Sequence, residues 1–360
     1  RAHHAARRDT EKLRTCLQEI AMPRTVRFHE IGDASVLRLE DEPLRDPGPG
    51  EVRFRAGALG LMFADILFRR GQYPESAVLP GAGIGYEAAG IIDAVGPCVS
   101  EFREGDRVTS FTNFSLREFS THRESVVIPA RCVTPVPSRL TIEEGAGFWN
   151  AFLTAYCGIA EAAALEPGQT VLATAATSSI GTAAVQVVKR LGGVFIGTTR
   201  SEKKAHLLRE LGADHVVVTS KEDLGERVME ITDGRGVDLV FDAVGGSAFQ
   251  SYGRITAPHG HIMAYGALTL EMPVMPLLEA MVKQLKISAY TLFAHTGNHH
   301  FHAVEQPAAV ARAKRFILDG LEVGAFRPVI AKVFDGLDAY VDAVRYFEQG
   351  PGGGKTILKL

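Results

Sequence analysis

From Thr25 to about Phe119, apolar residues come in short alternating runs broken by glycine and proline, as in Glu51-Val-Arg-Phe-Arg-Ala56 and Ala89-Gly-Ile-Ile-Asp-Ala-Val95. Alternation with period two puts one set of side chains on one face of a strand, so this region predicts a β-rich unit, with turns at residues 46–50 and 103–106. After Asn150 the pattern changes. Strand-like apolar runs at Val171, Val194, residues 215–218, 237–242, 260–265 and 285–290 alternate with helix-period segments through Gln186, Lys189 and Leu208. Such alternation predicts a parallel, doubly wound sheet. The tail reads as a helix from Pro307 to Leu321, a loop, and a last strand at Thr356-Ile-Leu-Lys-Leu360 that rejoins the first unit. The expected division is a leader over residues 1–21, a β-rich unit over 22–150, the parallel-sheet unit over 151–290, and a return to the first unit over 291–360.

A chain of 360 residues with 46% hydrophobic and 22% charged content suits a two-domain globular enzyme. The net charge of −3 argues against a nucleic-acid or membrane-surface protein. Cys16, Cys98, Cys132 and Cys157 are scattered without Cys-x-x-Cys spacing, which suggests neither a disulfide framework nor a zinc knuckle. Reduced thiols and no apolar run of about 18 residues make the expectation a cytoplasmic protein. Residues 1–21 lack an apolar stretch and carry Asp9, Glu11 and Glu19, which argues against a secretory signal or a mitochondrial presequence. They are expected to be a short helix or a disordered extension.

The most informative stretch is Val171-Leu-Ala-Thr-Ala-Ala-Thr-Ser-Ser-Ile-Gly181, an apolar run that stops at small residues and continues as a helix. A dinucleotide pyrophosphate needs backbone N–H groups at close range and the positive end of a helix dipole, and bulky side chains would block both. Ser178, Ser179, Ile180 and Gly181 are therefore the candidate pyrophosphate turn, although such a turn also occurs for packing alone. The next strand, from Val194, ends in Thr199-Arg200-Ser201 with Lys204 beyond. A carboxylate at this point would hold an adenosine ribose 2′-OH, whereas a basic residue would accept a 2′-phosphate. Arg200 and Lys204 supply the cations and point to NADPH, the alternative being solvated surface charge.

These residues resemble the medium-chain dehydrogenase/reductase superfamily, in its zinc-free quinone oxidoreductase and enoyl reductase branch. The segments that carry the resemblance are Gly85-Tyr-Glu-Ala-Ala-Gly-Ile-Ile-Asp-Ala-Val-Gly96, Phe102-Arg-Glu-Gly-Asp-Arg-Val108, Leu153-Thr-Ala-Tyr156, residues 175–181, Leu211-Gly-Ala-Asp214, Phe241-Asp-Ala-Val-Gly-Gly246 and Gly354-Lys355. What the resemblance implies is an α/β architecture: a GroES-like β-rich catalytic domain with an inserted Rossmann cofactor domain, the active site between them, and commonly a homodimer. It also implies Ser201 beside Arg200 and Lys204, Val244 and Gly245 beneath the ribose, Thr154 and Gly266 near the nicotinamide, and Lys355 capping the cofactor.

Zinc members of the superfamily use a Cys, a Gly-His-Glu histidine and a further Cys or acid. Here Tyr86 replaces that histidine and Ala64 offers no thiol, so no catalytic metal is expected. His295, His299, His300 and His302 are dense enough to bind zinc or nickel adventitiously, but with no ordered carboxylate in view the segment reads as a polar loop. Without a metal, quinones and alkenes conjugated to a carbonyl accept hydride because charge delocalises onto oxygen. Tyr73 falls where enoyl reductases of the branch have a proposed proton donor, and it is either that acid or an aromatic wall. At Leu61-Met62-Phe63 the branch often has Gly-Leu-Asn, whose amide Met62 cannot replace, so the substrate cleft, assigned to Met62, Phe63, Tyr86 and Trp149, is expected to be more apolar than in relatives. The leading reading is an NADPH-dependent reductase of quinones or α,β-unsaturated carbonyl compounds. The alternatives are an enoyl reductase on carrier- or CoA-linked chains, and an NADPH-binding regulatory or structural protein.

Overall fold

A computed structural model describes residues 22–360, so the expected leader lies outside the described residues. In the first unit, β1 (Arg24–Phe28) pairs with β2 (Leu37–Asp41) and with the short β4 (Ala82–Gly83). The central strand of the larger sheet is β3 (Glu51–Gly60), which lies against β5 (Glu87–Val95), while β6 (Arg107–Ser110) and β8 (Val133–Pro135) extend that side and β7 (Ser125–Pro129) also pairs with β3. The β3–β5 register shifts at Arg53/Phe54 and again at Ala56/Ala58. Each such irregularity bends the strand and increases its twist, which curls this sheet around the buried rings of Phe28, Phe54 and Phe68. Helix α1 (Phe63–Arg69) follows β3 directly.

The chain then crosses through α2 (Trp149–Tyr156) into a six-stranded sheet whose strands all run parallel. Its strands are β9 (Thr170–Ala173), β10 (Val194–Thr199), β11 (His215–Val218), β12 (Val237–Asp242), β13 (Thr256–Ala264) and β14 (Lys286–Ala289), arranged in the order 11-10-9-12-13-14. The connections are α3 (Ser179–Arg190), α4 (Glu202–Glu210), α5 (Leu224–Ile231), α6 (Ala248–Ile255) and α7 (Leu277–Lys283). The chain leaves β9 toward one edge and returns to its other side at β12, which opens a crevice outside the carboxyl ends of these two strands.

Helix α8 (Pro307–Glu322) starts on proline, whose missing N–H costs nothing in a first turn. Val310, Ala313, Ile317 and Leu321 recur at helical spacing and are all buried, in the core that holds Phe152 and Val187. Burial of a side chain such as Ile317 contributes about 1.5–3 kcal/mol. After β15 (Ile330–Asp335) and α9 (Tyr340–Glu348), the last strand β16 (Lys355–Lys359) pairs antiparallel with β3, Ile357 opposite Gly60. Closing the first sheet with the end of the chain makes the parallel-sheet unit an insertion.

Candidate functional site

At the crevice, β9 gives way to a turn that closes on α3. The Ser178 hydroxyl accepts the Gly181 N–H at 3.1 Å, capping the helix and leaving the amides of Ser179 and Ile180 without intrahelical partners. Gly181 is required by approach: a Cβ there would run into the Ala176 carbonyl. Ala175 takes φ of 45°, which turns the backbone without a glycine. Across the crevice, Asp242 ends β12 with no solvent exposure. Its carboxylate accepts the Thr174 hydroxyl at 2.6 Å, the Gly245 N–H at 2.8 Å, the Tyr252 hydroxyl at 3.1 Å and the Val244 N–H at 3.2 Å. The Ala243 N–H in turn donates to Thr174 Oγ1 at 2.8 Å, so one buried acid fixes both loops facing the crevice.

Two features show that a dinucleotide fits here. The Tyr265 hydroxyl is buried next to Ser178 without completing a hydrogen bond, its ring stacked on Phe241 at 3.9 Å. The neighbouring Gly266 would place a Cβ 2.9 Å from the Ala243 carbonyl, so only a bare backbone leaves this corner open. The second feature is charge. Arg200 is exposed, Ser201 donates its N–H to Thr199 Oγ1 at 3.1 Å, and Lys204 is half-buried one turn into α4. Burial and the neighbouring Arg200 charge both lower the Lys204 pKa, and no acid offsets them; the adjacent Glu202 is spent on Lys221. Two cations side by side without a carboxylate form an anion site.

The lid of this site comes from the other domain. The N–H groups of Gly353 and Gly354 donate to the Thr177 carbonyl at 2.6 and 3.1 Å. Gly354 has φ of +115° and backs onto the Val329 carbonyl, a conformation and a fit that a side chain would forbid. A Cβ on Gly352 would stand 3.4 Å from Lys204 Nζ and one on Gly350 3.9 Å from the Arg200 guanidinium, so residues 350–354 pass beside the two cations. Lys355 itself is a correction to the expectation. Its ammonium is buried, with a 4% exposed side chain, in an ion pair with Glu87. The glycine backbone before it, not the lysine side chain, reaches the nucleotide turn.

Beside α1 an aromatic cluster forms, the candidate substrate pocket. The Tyr73 and Tyr86 hydroxyls are 3.4 Å apart, Phe301 lies 5.7 Å from the Tyr73 ring, and Phe293 lies 5.8 Å from Tyr86. Burial raises the pKa of both phenols, so each remains a neutral donor at ordinary pH. Met62 and Phe63 are half-buried at the start of α1, with the Met62 N–H donating to Asp65 Oδ2 at 2.9 Å. Burial pushes Asp65 up to about 7. Tyr86 is only 1% exposed and stands behind Tyr73, so it backs the cleft instead of lining it. Trp149 is a second correction: it is 2% exposed, packed edge-on against Phe111 and tilted against Phe148, with its indole N–H donating to Thr134 at 2.6 Å. It is core. Thr154 is also buried, within α2.

The place where zinc members bind their metal does not suit an ion here. Tyr86 is a buried neutral phenol, Ala64 has no donor atom, and Glu87 pairs with Lys355, so among the described residues no thiol or imidazole joins Glu87 in a ligand set. Sequence reasoning passed over Asp242, Phe293 and Phe301. Asp242 was visible as a strand end and inside the Phe241–Gly246 segment but with no role, and the two phenylalanines are far from Tyr73 in sequence.

The fold and the crevice define a two-domain, dinucleotide-dependent oxidoreductase. Residues 48–138 match the family described as alcohol dehydrogenase GroES-like domain, and residues 179–307 match the zinc-binding dehydrogenase family. The chain is 34% identical over 245 residues to a quinone oxidoreductase of Pseudomonas aeruginosa, covering 68% of this chain and 74% of that one. It is 29% identical to a 2-haloacrylate reductase of a Burkholderia species, covering 85% and 90%. The Escherichia coli quinone oxidoreductase solved with NADPH superposes with a TM-score of 0.82 at 25% identity, covering 94% of this chain and all of that one. The chain therefore belongs to the medium-chain dehydrogenase/reductase superfamily, in its quinone oxidoreductase branch.

Proposed function

We propose that the protein is an NADPH-dependent, zinc-independent reductase of quinones or of alkenes conjugated to a carbonyl. The observation that carries the reading is the pair Arg200 and Lys204, without an acid and beside the glycine backbone of residues 350–354. Bound NADPH supplies hydride. Arg200 and Lys204 hold the 2′-phosphate, Ser179 and Ile180 offer amides to the pyrophosphate, and the Asp242-fixed loop of Val244 and Gly245 shapes the ribose side. Tyr73, kept protonated by burial, donates a hydrogen bond or a proton to the electron-rich product of reduction. The apolar walls of Met62, Phe63 and Phe301 exclude water. The names of two relatives, a quinone oxidoreductase and a 2-haloacrylate reductase, agree with these substrate classes.

The decisive experiment follows NADPH and NADH oxidation with quinones, enones and enoyl thioesters, before and after exhaustive chelation. NADPH-preferring turnover that survives chelation supports the reading, and turnover lost and then restored by zinc in a His299→Ala/His300→Ala variant as well as in the wild type would refute the zinc-independent part.

We further propose a homodimer. Met272, Leu278, Met281 and Val282 are 62–86% exposed beside the edge strand β14, an apolar face that a second copy would cover. A monomer by light scattering at micromolar concentration would reject this. Among the described residues, no helix is long and apolar enough to cross a membrane.

A further inference from the structure

Away from the crevice, one cluster of side chains has ligand chemistry that the reaction does not use. Glu118 lies on the loop after β6, and it faces His299 and His300 from the turn before Phe301. The polar-loop expectation for the histidines rested on there being no carboxylate partner, and the fold supplies one from residues far away in sequence. Glu118 Oε1 is 3.1 Å from His299 Nε2 and 3.7 Å from His300 Nε2, with all ligand atoms within 4.8 Å of one another. The second distance is too long for a hydrogen bond. Zinc bonds of ~2.0–2.1 Å at tetrahedral angles would put ligand atoms about 3.4 Å apart, between the two observed spacings. His295 and His302 are not in the cluster.

We propose that Glu118, His299 and His300 bind one Zn²⁺ ion, which fastens the loop carrying Phe301 to the loop carrying Glu118 at the rim of the aromatic pocket. Two imidazoles and one carboxylate suit a borderline divalent ion, and they disfavour Mg²⁺ or Ca²⁺, which seek oxygen. The ligands are held in place beforehand. Asn298 accepts the His300 N–H at 2.9 Å on its side chain, and its backbone pairs both ways with Ala303. Asn298 Nδ2 also donates to Glu75 Oε1 at 2.6 Å, while Glu75 Oε2 accepts the Ser115 hydroxyl at 2.8 Å and the Leu116 N–H at 3.1 Å. Both ligand-bearing loops are thus tied to one buried acid, so little ordering is left for the ion to do. Side-chain exposures of 66% for His299, 42% for Glu118 and 28% for His300 leave the ion a path in from solvent. Because Phe301 packs on Tyr73, the ion would steady one wall of the pocket while taking no part in hydride transfer.

The test uses the full chain stripped of metal, titrated with Zn²⁺ by calorimetry and with Co²⁺ by visible absorption. The expected result is one tight equivalent and a tetrahedral Co²⁺ spectrum. Glu118→Gln and His300→Ala should each weaken zinc at least about tenfold. Hydrogen exchange in residues 113–119 and 298–303 should slow on adding zinc to the wild type, and not in the His299→Ala/His300→Ala variant. His3 and His4, and the His206–Glu210 pair at 3.2 Å, are competing sites, and replacing these histidines should leave the tight equivalent intact. No stoichiometric zinc, or an equivalent indifferent to Glu118 and His300, would overturn the proposal. Neither readout depends on turnover.

Discussion

The Tyr73 hydroxyl lies 3.4 Å from the Tyr86 hydroxyl, within an apolar cluster that holds Met62, Phe68, Phe293 and Phe301. Burial raises both phenol pKa values, so the pair stays protonated and can offer one proton outward while the inner hydroxyl answers it.

Tyr73→Phe removes the outer hydroxyl and keeps the ring against Phe68 and Phe301. With alkene substrates kcat should fall about 10²-fold while NADPH affinity stays constant, and quinones should suffer less because water can protonate their reduced oxygens. Steady-state kinetics together with fluorescence titration of NADPH checks this, and unchanged kcat on every alkene would make Tyr73 a wall only.

Arg200→Ala deletes the charge-assisted contact that the proposed function assigns to the 2′-phosphate, worth about 1.5–3 kcal/mol. NADPH binding should weaken roughly 10- to 100-fold and NADH binding should not change. Comparing the two dissociation constants tests the assignment, which equal weakening would reject.

Asp242→Ala should behave differently. It leaves the Thr174 hydroxyl, the Tyr252 hydroxyl and the Gly245 N–H buried without their acceptor. Each such group costs about 1–3 kcal/mol, so urea unfolding should show a loss of several kcal/mol. NADPH and NADH should weaken together, because the damage is to the shared loop.

Asp65 carries a pH signature. Its carboxyl is pushed from 3.8 up to about 7 by burial, so the folded state holds a proton that the unfolded chain has already released. The stabilisation is complete below the unfolded value near 4 and is lost as pH rises toward 7, by at most roughly 4 kcal/mol. Asp65→Asn mimics the protonated acid and should flatten that slope. Denaturant melts of both proteins at pH 4, 5.5 and 7 would show it, and parallel curves would contradict the assignment.

The alternation before Phe119, the strand–helix alternation after Asn150 and the small-residue turn at residues 175–181 are local patterns, and each was legible because periodicity and turn chemistry are written in neighbouring residues. The switch-point order 11-10-9-12-13-14 realises the doubly wound sheet that they imply. Lys355 and Trp149 were misplaced because their surroundings come from distant segments: Glu87 captures the ammonium, and Thr134 captures the indole. The same holds for Asp242 under the crevice, for Phe301 on Tyr73 and for Glu118 beside His299. A chain's own sequence sets which faces are apolar and where it turns. Which charge meets which partner is decided only when burial brings remote side chains to within a few ångströms, where desolvation makes pairing obligatory.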